Sequence, residues 1–169
     1  MTKFRIYLFL FLIFILFLIF MLYSKSYGKI REEKFNEKFI PISLRVYNKI
    51  NYYAEEYDIP LIYAMGVANV ETGLEGPFDN DYDPFLRSYA GALGPMQIMP
   101  STARLYYKNI SNNRIMYDID TNVHISMRLL RDLKDGCGDW KKVFGAYNTG
   151  NYIVNDYSNR VYNYKFLFR

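Results

Sequence analysis

The hydrophobic pattern divides the chain into an apolar N-terminal run and a longer part with helical periodicity. Residues 6–23 are eighteen consecutive uncharged positions without Pro or Gly, mostly Leu, Ile and Phe. A helix of that length is at the lower limit for spanning a hydrocarbon core of about 30 Å. We therefore predict a retained membrane anchor over residues 1–24. A cleaved signal peptide is the alternative, but its apolar core usually has about 7–15 residues, and the nearby small-residue site Ser24-Lys25-Ser26 carries a central Lys.

A charged and polar linker over residues 25–40 precedes the first predicted helix of the main domain, residues 41–169. One face of that helix recurs at spacings of three and four residues, as amphipathic helices do, and is formed by Ile42, Val46, Ile50, Tyr53, Ala54 and Tyr57. Pro60 suits the first turn of a second helix, which runs to about Glu71 and is apolar nearly all round. Such a helix belongs in the middle of a core.

The remaining pattern predicts further helices and one long irregular region. Residues 73–100 hold four of the six prolines and three Asp residues, and we predict irregular structure there with at most a short hairpin. Ser101 opens a helix to about Tyr107. The next helix is predicted to be capped by Asp120 or Thr121 and to end at Gly136. Asp139 then caps a short helix that Gly150 stops, and a last helical segment completes an all-α domain.

Charge and composition exclude several function classes. The formal net charge of +4 comes from residues 1–34, which carry six basic and two acidic residues, and the rest of the chain is neutral. This excess flanks an apolar run and forms no basic face on the domain, which argues against nucleic-acid binding. Cys137 and His124 are each the only residue of their type. A disulfide framework and a cysteine- or multi-histidine-built metal site are therefore excluded, and no metal or cofactor is expected.

Glu71 is the leading candidate for catalysis. It lies at the end of the most apolar predicted helix, two residues before Gly73 and a glycine-rich loop. A carboxyl that is removed from water there would have a raised pKa, as a general acid needs at neutral pH. From position alone, a helix-terminal Glu that points into water is an equal alternative.

Three short segments around Glu71 carry a family resemblance. They are VETG over residues 70–73, SYAGALGPMQIMPSTA over residues 88–103 and AYNTG over residues 146–150. In this order, and each on the expected element, they resemble the motifs of soluble-type lytic transglycosylases, relatives of goose-type lysozyme. The resemblance extends from about residue 42 to the region of residue 157.

The resemblance implies a lysozyme-like helical domain that cleaves the β-1,4 bond between N-acetylmuramic acid and N-acetylglucosamine in peptidoglycan glycan strands. Glu71 matches the family's single acid/base, and the product would be a 1,6-anhydro sugar. The implied substrate-binding residues are Ser88, Met96, Gln97, Tyr147 and Asn148. Asn148 would hold the N-acetyl group, and Tyr147 would pack against the sugar and Glu71.

Two departures from the family pattern leave an alternative enzyme open. Pro95 stands where the family usually has an apolar residue, and removes a backbone donor. The stretch between Glu71 and Ser88 is longer than usual and includes Asp79, Asp81 and Asp83. An acid there, Asp83 first, could activate water in a goose-lysozyme-like hydrolase if it lay roughly 6.5–9.5 Å from Glu71.

A function of another class also remains open, namely a catalytically idle module that binds peptidoglycan. The substrate places the expected domain outside the bacterial cytoplasmic membrane, attached through residues 6–23. The positive-inside rule alone slightly favours the reverse orientation, because two basic residues precede the run and four follow it.

Overall fold

The computed structural model describes residue 7, residues 11–24 and residues 40–165. Backbone packing separates the chain into two units, residues 1–40 and residues 41–169. In the first unit, residues 11–24 are helical with exposed side chains. Within the described residues, no helix combines the length and the apolar character that crossing a membrane requires. Residues 1–6 and 8–10 of the predicted anchor, and most of the predicted linker, lie outside the described residues.

The second unit is helical, which confirms the predicted all-α class. Its described part contains α1 (Ile42–Glu56), α2 (Leu61–Thr72), α3 (Pro100–Tyr106), α4 (Asn112–Tyr117), α5 (Ile119–Cys137), α6 (Trp140–Thr149) and α7 (Asp156–Tyr162). The extended pairing in this part is limited to two isolated antiparallel bridges, Arg87 with Leu93 and Leu93 with Ile98. These bridges are the predicted short hairpin.

Helix α2 is the centre of the domain, as its nearly all-round apolar sequence predicts. It packs against α1 on one side and α7 on another, while α5 packs against α1 and α6. Five consecutive residues of α2, from Ala64 to Ala68, are buried. The helix ends because Gly73 adopts the left-handed conformation (φ 77°), where glycine carries no steric penalty. Glu71 is thereby placed in the last turn of the core helix.

Both predicted ends of α5 were wrong. The helix begins at Ile119, and its cap is Asp118, whose carboxylate accepts a hydrogen bond from the Thr121 amide. It ends at Cys137, because Gly138, and not Gly136, takes the left-handed conformation. Gly136 remains inside the helix, and a Cβ there would approach the hydroxyl of Tyr152 to 2.6 Å.

Helix α4 was not predicted, whereas α6 was predicted well. Helix α4 has six residues and buries only Ile115, so it shows no periodicity, although Ser111 caps it by accepting from the Arg114 amide. For α6, Asp139 accepts from two backbone amides at the start and Gly150 is left-handed at the end, as expected.

Candidate active site

Glu71 combines partial burial with a hydrogen bond from a distant residue. The hydroxyl of Tyr157, on α7, donates to Oε1 of Glu71 at 2.6 Å. Burial raises the pKa of Glu71 to about 7, although the hydrogen bond from Tyr157 acts in the lowering direction. A carboxyl with such a pKa is protonated in a large fraction of molecules at neutral pH and can give up its proton there, as general acids do.

Tyr157 is the site residue that sequence reasoning missed. Burial and the neighbouring Glu71 carboxylate raise the pKa of Tyr157 well above its ordinary value, so the phenol stays protonated and donates. The chain has eighteen tyrosines, and residue 157 is 86 positions from Glu71. The local signal marks the helix and not the residue: Asn155 and Ser158 form a capping box, which fixes the start of α7.

Tyr147 belongs to the same cluster. Burial, followed by the charge of Glu71, raises the pKa of Tyr147, which shows that the two side chains are close enough to interact. Its hydroxyl donates to the backbone carbonyl of Met96 at 2.8 Å. Tyr147 is thereby joined to the loop of the second motif.

The loop that carries Met96 is a tight turn, and this explains Pro95. The Gln97 amide donates to the Gly94 carbonyl at 3.0 Å, which places Pro95 and Met96 at the two central positions. Proline presets φ at the first central position of such a turn and needs no amide donor there. Pro95 thus leaves this turn intact. Its carbonyl accepts from Thr72 Oγ1 at 3.2 Å, which joins the turn to the residue after Glu71.

Asn122 fastens this turn to α5. Its side-chain nitrogen donates to the carbonyls of Leu93 and Ile115, and its side-chain oxygen accepts from the Met96 amide at 3.0 Å. The residue is fully buried. Gly94 has a φ of 78°, and a Cβ there would lie 2.5 Å from the Asn122 nitrogen, so the close approach of loop and helix requires glycine.

The predicted substrate-binding residues lie in or near the turn that carries Met96 and at the end of α6. The Met96 side chain is fully buried, and therefore packs in the core while its backbone serves Tyr147 and Asn122. Gln97 donates through Nε2 to the carbonyls of Leu86 and Gly94, inside the loop. Ser88 Oγ accepts from the Ala92 amide at 2.9 Å, and so caps a turn. Asn148 is exposed, and its oxygen accepts from Asn155 near the start of α7. Contact of these side chains with a sugar stays a prediction.

Two acids of the insertion accept hydrogen bonds from backbone amides of their own loop. Asp83 is exposed and accepts from the Phe85 amide at 2.9 Å, while Asp79 accepts from the Glu75 amide at 3.3 Å. Between them, Tyr82 is buried, with its hydroxyl 3.1 Å from Thr72 Oγ1. The insertion is thus anchored beside Glu71 through a tyrosine. Across the part of the chain that the structure describes, no three acidic, His or Cys side chains are grouped to hold a metal ion.

An all-helical domain that presents a protonatable carboxyl at the end of its core helix, held by a phenol, has the groups that a lysozyme-like acid/base site requires. Residues 48–167 match the profile of the Transglycosylase SLT domain, and the chain belongs to this family. Among curated proteins, none matches the chain. The family assignment confirms the resemblance predicted from the three motifs, and supports lytic transglycosylase activity on peptidoglycan.

Proposed function

We propose that this protein is a membrane-anchored lytic transglycosylase in which Glu71 is the single acid/base. The observation that supports this proposal best is the pKa of Glu71, raised by burial to about 7 while Tyr157 donates to the same carboxyl at 2.6 Å. The two effects oppose each other, so the carboxyl is tuned near neutral pH while its orientation is held. A side chain that only binds sugar needs neither property.

Glu71 acts twice in the proposed reaction. Protonated Glu71 donates its proton to the glycosidic oxygen as the bond between that oxygen and the anomeric carbon of N-acetylmuramic acid breaks. The resulting carboxylate then accepts the proton of the muramoyl 6-hydroxyl as this oxygen bonds to the anomeric carbon. The products are a 1,6-anhydro-muramoyl end and a free 4-hydroxyl on the leaving sugar, and water is not consumed.

The residues around Glu71 hold its substrate in this proposal. Asn148 binds the N-acetyl group, which supports the positive charge that develops at the anomeric carbon and takes the place of a carboxylate nucleophile. Tyr147 packs against the sugar, and its bond to the Met96 carbonyl keeps the ring in place. Ser88 and Gln97 line the cleft from the adjoining loop, and Met96 supports it from below.

The first experiment is mass spectrometry of the sugar ends that the full chain, in detergent micelles, releases from purified peptidoglycan. We expect anhydro-muramoyl ends from the native protein and at least about a hundredfold less product from Glu71→Gln, because the proton transfer is lost. Glu75→Gln is the matched control, since Glu75 is the nearest acid in sequence, is exposed and lies outside the site. Full activity of Glu71→Gln would contradict the assignment.

The same experiment separates the alternatives. Reducing ends would indicate a hydrolase, and Asp83→Asn would then have to abolish their release. The hydrogen bond from the Phe85 amide accounts for Asp83 as a loop residue, and we expect Asp83→Asn to leave anhydro products unchanged. An absence of products from a folded protein that still binds peptidoglycan would favour the idle module.

The proposed location is the outer face of the cytoplasmic membrane, with the N-terminus inside. The support is the apolar run of residues 6–23 together with a substrate that lies outside the membrane. A protease added to intact spheroplasts should digest the domain of residues 41–169. Protection of the domain in intact spheroplasts, with digestion only after lysis, would overturn this orientation.

A further inference from the structure

A hairpin that is closed by backbone hydrogen bonds adjoins the candidate active site and carries a tyrosine in its loop. Its base is formed by the Gly94 amide, which donates to the Leu86 carbonyl at 3.0 Å, and its tip by the Gly91 amide, which donates to the Ser88 carbonyl at 3.0 Å. Ser88 and Ala92 close the loop between them with a backbone bond and a bond to Ser88 Oγ. Gly91 is left-handed (φ 92°), which is the usual geometry of a three-residue hairpin loop.

Tyr89 lies at the first position of this loop and touches nothing. Its relative exposure of 109% is the highest of the large apolar side chains in the described residues, and the next highest is 81% for Leu105. The three hydrogen bonds around Ser88 fix the backbone on which the ring stands. Binding then needs no ordering of this backbone, and a Tyr side chain has only two χ angles whose freedom is lost.

The base of the hairpin joins the catalytic region directly. Gly94 leads into Pro95, whose carbonyl accepts from the hydroxyl of Thr72, the neighbour of Glu71. From Leu86 to Tyr89 the chain advances three residues, which is about 10 Å in extended conformation. A glycan strand that binds at Glu71 and continues along the hairpin meets Tyr89 in the hairpin loop.

We propose that Tyr89 is a stacking platform for the glycan strand, outside the bond that is cleaved. A pyranose ring presents a face of C–H groups, and this face is attracted to the electron-rich face of an aromatic ring. The inference rests on the proposed function, and adds a residue that sets the preference for long strands over short fragments. Tyr89 does not take part in proton transfer.

The test measures binding of the full chain in detergent. All variants carry Glu71→Gln, so that cleavage of the probe does not affect the binding measurement. The probe is insoluble peptidoglycan, and binding is measured by co-sedimentation over a range of probe concentrations. Tyr89→Ala should weaken retention about three- to tenfold, as loss of one aromatic stacking contact would. Tyr89→Phe and Tyr89→Trp keep an aromatic face and should bind like the parent.

Tyr52→Ala is the matched control, because Tyr52 is also an exposed tyrosine (59%) but lies on α1. It should leave retention unchanged. Because the Tyr89 side chain makes no contacts, Tyr89→Ala should unfold at the same temperature as the parent, so that weaker binding reports the surface and not the fold. The measurement is repeated on glycan strands stripped of stem peptides by an amidase, where the same loss is expected.

Several outcomes would overturn the proposal. These are unchanged retention of Tyr89→Ala, an equal loss in Tyr52→Ala, a loss in Tyr89→Phe, and a loss that disappears once the stem peptides are removed. The last two would assign a hydrogen bond or a peptide contact to Tyr89. Failure of the parent Glu71→Gln protein to bind glycan at all would also refute it. Failure of the proposed function is separate, since it is measured by the sugar ends that the native protein releases.

Discussion

The raised pKa of Glu71 depends on where helix α2 ends. The apolar sequence of α2 draws the helix into the core, and Gly73 ends it two residues after Glu71, so the carboxyl stays at the margin of water. Both facts are visible in the sequence, but position alone left a water-facing Glu equally open, and the resemblance of the three motifs decided for an acid. The partner Tyr157 was not predictable, because nothing local distinguishes it from the other tyrosines until α7 is folded against α2.

The raised pKa of Glu71 makes the folded state sensitive to pH. A carboxyl whose pKa rises from an ordinary 4.5 to about 7 on folding binds more protons in the native state between these values. Its contribution to stability is therefore present below about pH 4.5 and is lost as the pH rises through about 7. The loss at pH 8 is on the order of 3 kcal/mol of the free energy of unfolding.

Glu71→Gln should consequently raise the unfolding temperature at pH 8 and change it much less at pH 5, since the amide carries no charge to desolvate. Thermal unfolding followed by circular dichroism at both pH values measures the difference. Glu75→Gln, at an exposed position, should show no such contrast. A stabilisation of Glu71→Gln that is equal at both pH values would mean that burial does not perturb this carboxyl.

Tyr157→Phe should move the pH profile of catalysis. Without the donated hydrogen bond, which acts to lower the pKa of Glu71, the carboxyl keeps its proton to higher pH. We expect the alkaline limb of kcat/KM to shift upward in pH, with a loss of roughly ten- to a hundredfold at the optimum because Glu71 is no longer oriented. Tyr117→Phe, at an exposed tyrosine on α4, serves as the control. A loss of rate without a shift in the profile would assign Tyr157 to packing alone.

At the scale of elements, the turn of the second motif is held by side chains that come later in the chain. Asn122 on α5 and Tyr147 on α6 bind the backbone of Met96 from two directions. The sequence predicts both helices, because each has an apolar stripe and a stop signal. It does not show that Asn122 is buried, since an Asn near a helix start is more often a surface residue.

Asn122→Ala should be strongly destabilising. It leaves the Met96 amide and the Ile115 carbonyl without their buried partner, and each unsatisfied group costs about 1–3 kcal/mol, whereas the Leu93 carbonyl keeps its hydrogen bond from the Ile98 amide. We expect a loss of about 3–5 kcal/mol in urea unfolding. Asn112→Ala is the control, because that side chain is exposed and bonds only Arg104 among the described residues. Similar midpoints for the two variants would show that the turn does not depend on Asn122.

Helix boundaries show which sequence signals are decisive. Gly150 stops its helix as predicted, and Gly73 ends α2 close to the predicted end at Glu71; both glycines are left-handed. Gly136 does not stop α5, since Gly138, two residues later, takes the left-handed conformation instead. Two glycines so close together leave the end of a helix undetermined by sequence alone.

On the scale of the whole molecule, α1 and α7 of the domain both pack against α2. Gly66 lies where α2 and α7 approach closely, and a Cβ there would lie 2.8 Å from the carbonyl of Val161. The all-α class and the order of most elements follow from the apolar pattern of the chain. The pairing of α2 with α7 does not, since it depends on one glycine and on contacts that span almost a hundred residues.

The distance between Glu71 and Tyr157 along the chain also sets an order of events during synthesis. The ribosome adds about 5–20 residues per second, so the phenol follows the carboxyl by roughly 4–17 s. In that interval the α2 segment already exists, but the residue that orients its acid does not. In the proposed function, a chain that is interrupted before α7 therefore carries the acid without the tyrosine that orients it.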